Sequence, residues 1–86
     1  TKSGFDLKAQ DANGRGSMHL AAEAGSVDVA DFFLSSGIPI DQTDLEGKTP
    51  LMLASIAGRH EMVRWLLKQG ANPNLKDNNG YMALML

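Results

Sequence analysis

Between Asp44 and Gly70 the apolar positions gather into two short groups, and each group runs into a glycine. Leu51, Leu53 and Ala54 form the first. Met62, Val63, Leu66 and Leu67 form the second, at i, i+1, i+4 and i+5, which predicts one apolar face on a helix. Thr49 is suited to cap the first helix, because a threonine oxygen accepts a backbone N–H that has no partner inside the helix. Pro50 suits the position after it, where the missing N–H is not needed. Gly58 and Gly70 are placed to stop the two helices, since glycine takes the left-handed conformation without a Cβ clash. A turn, a short helix, a second helix and a stop make one unit. Two short helices cannot bury their apolar faces alone, so the unit needs neighbours.

The chain supplies them by repetition. A shift of 33 residues places Asp11 on Asp44, Gly14 on Gly47, Leu20-Ala21 on Leu53-Ala54 and Ala24-Gly25 on Ala57-Gly58. The same shift places Leu34 on Leu67 and Gly37 on Gly70. A further shift places Asp77, Gly80, Leu84, Met85 and Leu86 on Asp44, Gly47, Leu51, Met52 and Leu53. A glycine phase kept this strictly marks a stacked array rather than chance likeness. The predicted organisation is the tail of a preceding unit at 1–10, complete units at 11–43 and 44–76, and the head of a following unit at 77–86. The start at Thr1 and the stop at Leu86, inside an apolar run, are expected to be cuts in a longer chain.

A unit that reads D-x-x-G-x-T-P-L-x-L-A, then A-G, then an apolar helix ending L-L-x-x-G-A-x-x-N resembles the ankyrin repeat. Asp44, Gly47, Thr49, Pro50, Leu51, Ala54, Gly58, Leu66, Leu67, Gly70, Ala71 and Asn74 match it. The resemblance implies an all-α repeat fold, an ankyrin-type solenoid of helix-turn-helix units with projecting β-hairpin turns. Departures from the family's T-P-L-H segment are informative. Unit one, Gly16-Ser17-Met18-His19, keeps the histidine and loses the cap; unit two, Thr49-Pro50-Leu51-Met52, does the reverse. The last fragment, Met82-Ala83-Leu84-Met85, loses both. A missing cap costs about 0.5–2 kcal/mol, or a few tenths where glycine stands in. Ser17 offers a cap shifted by one residue. Unit one is therefore expected to be the less stable of the two.

The resemblance also implies a concave face lined by turn tips and first helices, the extended surface that repeat arrays use for binding. Asn13-Gly14 and Asn79-Gly80 are strong turn signals, and Glu46-Gly47 keeps the glycine. Rows at 33-residue spacing then follow: Ala12, Leu45 and Asn78; Asn13, Glu46 and Asn79; Arg15, Lys48 and Tyr81. Glu23 and Ile56 share one position on the first helices. The candidate partner-binding residues are Asn13, Arg15, Glu23, Leu45, Glu46, Lys48, Ile56, Asn79 and Tyr81. Leu45, Ile56 and Tyr81 read either as apolar anchors or as scattered surface residues that flanking repeats cover. Arg15 and Lys48, about 10 Å apart if neighbouring helices pack at the usual distance, suit an acidic or phosphorylated segment or, with more weight, solvated charge.

Other features read as structure. Phe32 with Trp65, and Phe33 with Leu66, share repeat positions and are expected to pack between units rather than form a cofactor ladder. Most of the five methionines fall at core phases, where a flexible side chain fills irregular gaps. Asp31 and Arg64 share a position and could pair across helices. Unit one carries Arg15 against five acids, and unit two five bases against three acids.

Composition narrows the function class. An 86-residue chain with net charge −2 has neither the size for more than one small domain nor the charge for nucleic-acid binding. Without cysteine there is no disulfide framework, thiol nucleophile or thiolate metal site. No apolar run approaches the roughly 20 residues of a membrane helix, and no secretory signal is visible, which favours a cytoplasmic or nuclear location. His19 and His60 fall at non-equivalent positions, Gly14-Arg15-Gly16 lacks a third glycine, and the 41–47 segment has the wrong acidic spacing for calcium. No cofactor and no catalytic constellation is expected. Two functions remain: a protein–protein interaction module for another protein or peptide, or an accessory, regulatory segment of a larger enzyme, adaptor or membrane channel. Flanking repeats of the same chain or self-association are expected to cover the open ends.

Overall fold

The computed structural model describes residues 10–83. Four helices follow in order: α1 (Ser17–Ala24), α2 (Val27–Ser35), α3 (Pro50–Ile56) and α4 (His60–Lys68). They stand in two layers, α1 beside α3 and α2 beside α4, with α1 packed on α2 and α3 on α4. No strand forms among the described residues. The hairpins at 11–15, 44–48 and 77–81 are tight turns instead, each closed by the N–H of its aspartate on the carbonyl four residues later. The ankyrin-type arrangement expected from the resemblance is therefore present, with projecting turns too short to become ladders.

Local chemistry explains where each helix starts. Thr49 takes an extended conformation and its Oγ1 accepts the Met52 N–H at 3.3 Å, with Pro50 as the first helical residue. Unit one solves the same problem differently. Its N-cap is Gly16, so the cap does not shift to Ser17. The His19 side chain takes over, accepting the Gly16 N–H on Nδ1 at 3.2 Å.

One core runs through both units. Met18, Leu51, Met52, Met62 and Leu66 are essentially sealed from solvent, and Phe33, Val63 and Trp65 pack against them. Two apolar positions depart from expectation. Leu67, at i+5 from Met62, has rotated past the buried face and is exposed. Phe32 is 58% exposed rather than packed between units, its ring tilted against that of Phe33 with 5.7 Å between the ring centres. Leu20 and Val29 are exposed while their counterparts Leu53 and Met62 are buried. Leu20 and Val29 line a shallow, largely apolar groove on unit one together with Phe33.

Candidate interaction surface

The tips are built from three aspartates at equivalent positions. Asp11 Oδ1 accepts the N–H groups of Asn13 and Arg15 at 2.9 and 3.0 Å. Asp44 Oδ1 does the same for Glu46 and Lys48, and Asp77 Oδ1 for Asn79 and Tyr81. Each carboxylate thus replaces a backbone partner and fixes a turn that is otherwise short of acceptors. Gly14 and Gly47 adopt positive φ in these turns. A Cβ on Gly47 would also lie 2.5 Å from Asn78 Oδ1, so the next tip leaves no room for one.

Successive tips are stitched together. The Leu45 N–H donates to the Asn13 carbonyl and the Asn78 N–H to the Glu46 carbonyl, both at 2.9 Å. Asn78 Nδ2 adds a bond to the Leu45 carbonyl at 3.0 Å. With these backbone groups occupied, the side chains of Asn13, Leu45, Glu46 and Asn79 stand free of the backbone and exposed.

Arg15 and Lys48 depart from the reading as solvated charge. Lys48 Nζ donates to Asp77 Oδ2 at 2.8 Å and lies 3.7 Å from Glu46. Arg15 Nε lies 3.5 Å from Asp44 Oδ2 and its Nη1 3.6 Å from Glu23. In both cases the base of one unit reaches the tip aspartate of the next, and both side chains are mostly buried. The Lys48 hydrogen bond, with support from the Tyr81 N–H, holds the Asp77 carboxyl below the usual carboxylate range. The same hydrogen bond holds the Lys48 ammonium above the usual lysine range, against the cost of burial. These two bases therefore bind the array to itself. The sequence carried a signal for this: Arg15 to Asp44 and Lys48 to Asp77 have the same separation, which rows at 33-residue spacing did not display.

His19 crosses between units as well. Its Nε2 lies 2.9 Å from the Lys48 carbonyl; with Nδ1 accepting from Gly16, Nε2 is the ring's donor. Arg59 Nε donates to the Glu23 carbonyl at 3.0 Å, and Asp41 accepts the Asn72 N–H at 3.1 Å.

Three large apolar side chains remain open on this face. Leu45 is 71% exposed, Ile56 52% and Tyr81 49%. Asn13, Glu46 and Asn79 on the turn tips and Glu23 on α1 are exposed as well, and polar. Among the described residues no three His, Asp or Glu side chains come together in a way that could hold a metal ion, and no helix is long and apolar enough to cross a membrane.

Comparison with known proteins agrees with the geometry. The ankyrin repeat pattern matches residues 2–86 in three copies. A protein of Treponema pallidum (strain Nichols), whose name describes it as ankyrin repeat-containing, is 35% identical over 85 residues. That alignment takes in 98% of this chain but 28% of the relative, so the chain spans less than a third of that protein's length. Paired helices in two layers, turns stitched at a fixed spacing and a matching pattern over nearly every residue give one conclusion: this chain belongs to the ankyrin repeat family.

Proposed function

We propose that the chain is a protein-interaction module that presents the face formed by its turn tips and by α1 and α3 to a segment of another protein. One observation carries the reading. Leu45, Ile56 and Tyr81 are large apolar groups left open on rigid, hydrogen-bonded supports, while the neighbouring bases are occupied inside the array. Rigid apolar anchors ringed by polar groups are the arrangement from which interface hot spots are made. Asn13, Glu23, Glu46 and Asn79 supply the polar rim. Arg15 and Lys48 shape the face and fix its spacing rather than reaching for an acidic or phosphorylated partner. We take the units as 11–43 and 44–76, because Asp11, Asp44 and Asp77 open three turns with the same bonding.

Binding rather than catalysis fits the chemistry present. Both ring nitrogens of His19 are occupied by the backbone. A second reading has one fact in its favour: the chain matches only 28% of its relative. In that reading the array positions or regulates an activity carried elsewhere in a larger protein.

The test is capture of partners on the immobilised chain, compared with a Leu45→Asp, Ile56→Asp, Tyr81→Asp variant and identified by mass spectrometry. All three side chains are exposed, so the variant's stability is expected to stay within about 0.5 kcal/mol per site. Partners retained undiminished by a folded variant would reject this face as the docking surface and favour a spacer role.

A further inference from the structure

The first and third turn tips both carry the dipeptide Asn-Gly, as Asn13-Gly14 and Asn79-Gly80. Glycine after asparagine has no side chain to keep its nitrogen from the asparagine side-chain carbonyl. At Asn72, Asn74 and Asn78 the following residues are Pro73, Leu75 and Asn79, which obstruct that approach. Inside the two tips the bonding is the same. The aspartate Oδ1 accepts two N–H groups, and the glycine N–H donates to the aspartate carbonyl, at 3.0 Å for Gly14 and 2.9 Å for Gly80. Their surroundings differ. Gly14 is buried, and a Cβ there would lie 2.9 Å from Leu45 Cγ; the Asn13 carbonyl accepts the Leu45 N–H at 2.9 Å. Gly80 is exposed with open space around its Cβ position, and the Asn79 carbonyl accepts no hydrogen bond among the described residues. The third tip is tied to the second through Asp77 and Asn78 instead.

We propose that Asn79 is a site of spontaneous deamidation and isoaspartate formation in the folded chain, and that the second tip shields Asn13 from the same reaction. The Gly80 nitrogen gives its proton to solvent base and bonds to the Asn79 side-chain carbonyl carbon. The carbon–nitrogen bond of the side-chain amide breaks, ammonia leaves, and a five-membered imide closes. Water then opens the imide. Attack at the former side-chain carbonyl breaks the new bond and leaves aspartate. Attack at the backbone carbonyl breaks the original peptide bond and leaves isoaspartate, with the main chain running through the former side chain. The net change is amide and water to carboxylate and ammonium. Ring closure requires rotation about the asparagine Cα–C bond, which swings the backbone carbonyl. At Asn79 that rotation disturbs only the bonds of its own turn. At Asn13 it also breaks the bond from the Leu45 N–H and drives Gly14 against the Leu45 side chain. Isoaspartate at 79 adds a carbon to the main chain between the two N–H groups that Asp77 Oδ1 holds. The turn then loses its register, and Tyr81 is released from it.

Incubation of the whole chain at mildly alkaline pH tests the proposal, with circular dichroism to confirm that it stays folded. Peptide mapping by mass spectrometry follows conversion at each asparagine, and isoaspartate-specific methylation separates the two products. Reaction in the folded chain proceeds through local opening, so extra bonds around a tip slow it. Asn79 is expected to convert at least about fivefold faster than Asn13, the factor to which the net worth of one hydrogen bond corresponds. In urea strong enough to unfold the chain the surroundings are gone, and the two rates should converge. Leu45 is 71% exposed, so Leu45→Ala leaves the fold intact; it should raise the rate at Asn13 and leave that at Asn79 unchanged. Asn79→Gln should remove the isoaspartate signal of the third tip, because the longer side chain does not close a five-membered ring. Equal rates at the two sites in the folded chain overturn the proposal, as does faster conversion at Asn13. No conversion at Asn79 where the unfolded chain converts also overturns it. An Asn13 rate indifferent to Leu45→Ala overturns the shielding by the second tip.

Discussion

Replacing His19 by methionine, the residue that unit two carries at the equivalent position 52, removes two hydrogen bonds without opening a cavity. Both side chains are fully buried, so packing changes little and the loss is polar. The Gly16 N–H, inside a buried helix start, loses the acceptor that His19 Nδ1 provides. An orphaned buried donor costs about 1–3 kcal/mol. The Lys48 carbonyl loses its bond to His19 Nε2 but keeps the Asp44 N–H at 3.0 Å, so the cost there is only the net worth of one hydrogen bond, about 1 kcal/mol. The expected destabilisation is about 2–4 kcal/mol, a melting point lower by about 10–25 °C for a domain of this size. His19→Asn separates the two contributions: its Oδ1 can take the place of Nδ1 at Gly16 but cannot reach Lys48. That variant should recover more than half of the loss. Urea unfolding followed by circular dichroism gives both values. Should His19→Met and His19→Asn each unfold within 0.5 kcal/mol of the parent, a margin typical of surface changes, the histidine would not be the tie that holds unit one's helix start to unit two.

The Lys48–Asp77 pair makes stability depend on pH in a stated direction. Asp77 is held below its usual range, so its contribution is present above the unfolded value of about 3.9 and is lost as pH falls through the depressed folded value. Lys48 is held above its usual range, so its share is present below about 10.4 and is lost as pH rises through the raised folded value. Asp77→Asn, which keeps an Oδ1 acceptor for Asn79 and Tyr81, should flatten the loss of the urea midpoint between neutral and strongly acidic pH; an unchanged slope would refute the assignment. Gly16→Thr should stabilise by only a few tenths of a kcal/mol, since Gly16 has φ −97° and the nearest obstacle to a Cβ is the end of the Gln42 side chain at 3.0 Å. Thr49→Ala should cost about 1 kcal/mol, the reverse of the same effect. Gly47→Ala should cost more than Gly37→Ala: both have positive φ, but only at 47 does the next tip stand in the way of a Cβ. Equal costs would mean that the close approach of the tips carries no energy.

How far the sequence can be read depends on whether a constraint lies within one unit or between two. Thr49, Pro50 and the glycine phase are local, and each does in the structure what its own φ and hydrogen-bonding capacity dictate. Met62 and Leu66 are buried because their i, i+4 spacing already placed them on one face of α4. Leu67 was misplaced for a related reason: a step of i+5 turns the helix beyond the edge of a narrow buried stripe. Phe32 was misplaced because repetition shows which residues are equivalent and not which way they point. Its counterpart Trp65 packs against the core, whereas Phe32 points away from it and is 58% exposed.

The bases show the deeper limit. Aligned at 33-residue spacing, Arg15 and Lys48 look like one row of surface charge, since that alignment compares like with like. Their partners lie instead on the following unit, at positions of a different kind, Asp44 and Asp77. His19 and the Lys48 carbonyl are related by the same offset. Stacking energy in a repeat array sits largely in such contacts between unlike positions, because each unit meets its neighbour with its opposite face. The same logic sorts the charges here. Charges that find a partner on the next unit, Arg15 and Lys48, belong to the array. Charges that form no ion pair among the described residues, Asp28, Asp31, Arg64 and Lys68, stay exposed at the surface instead.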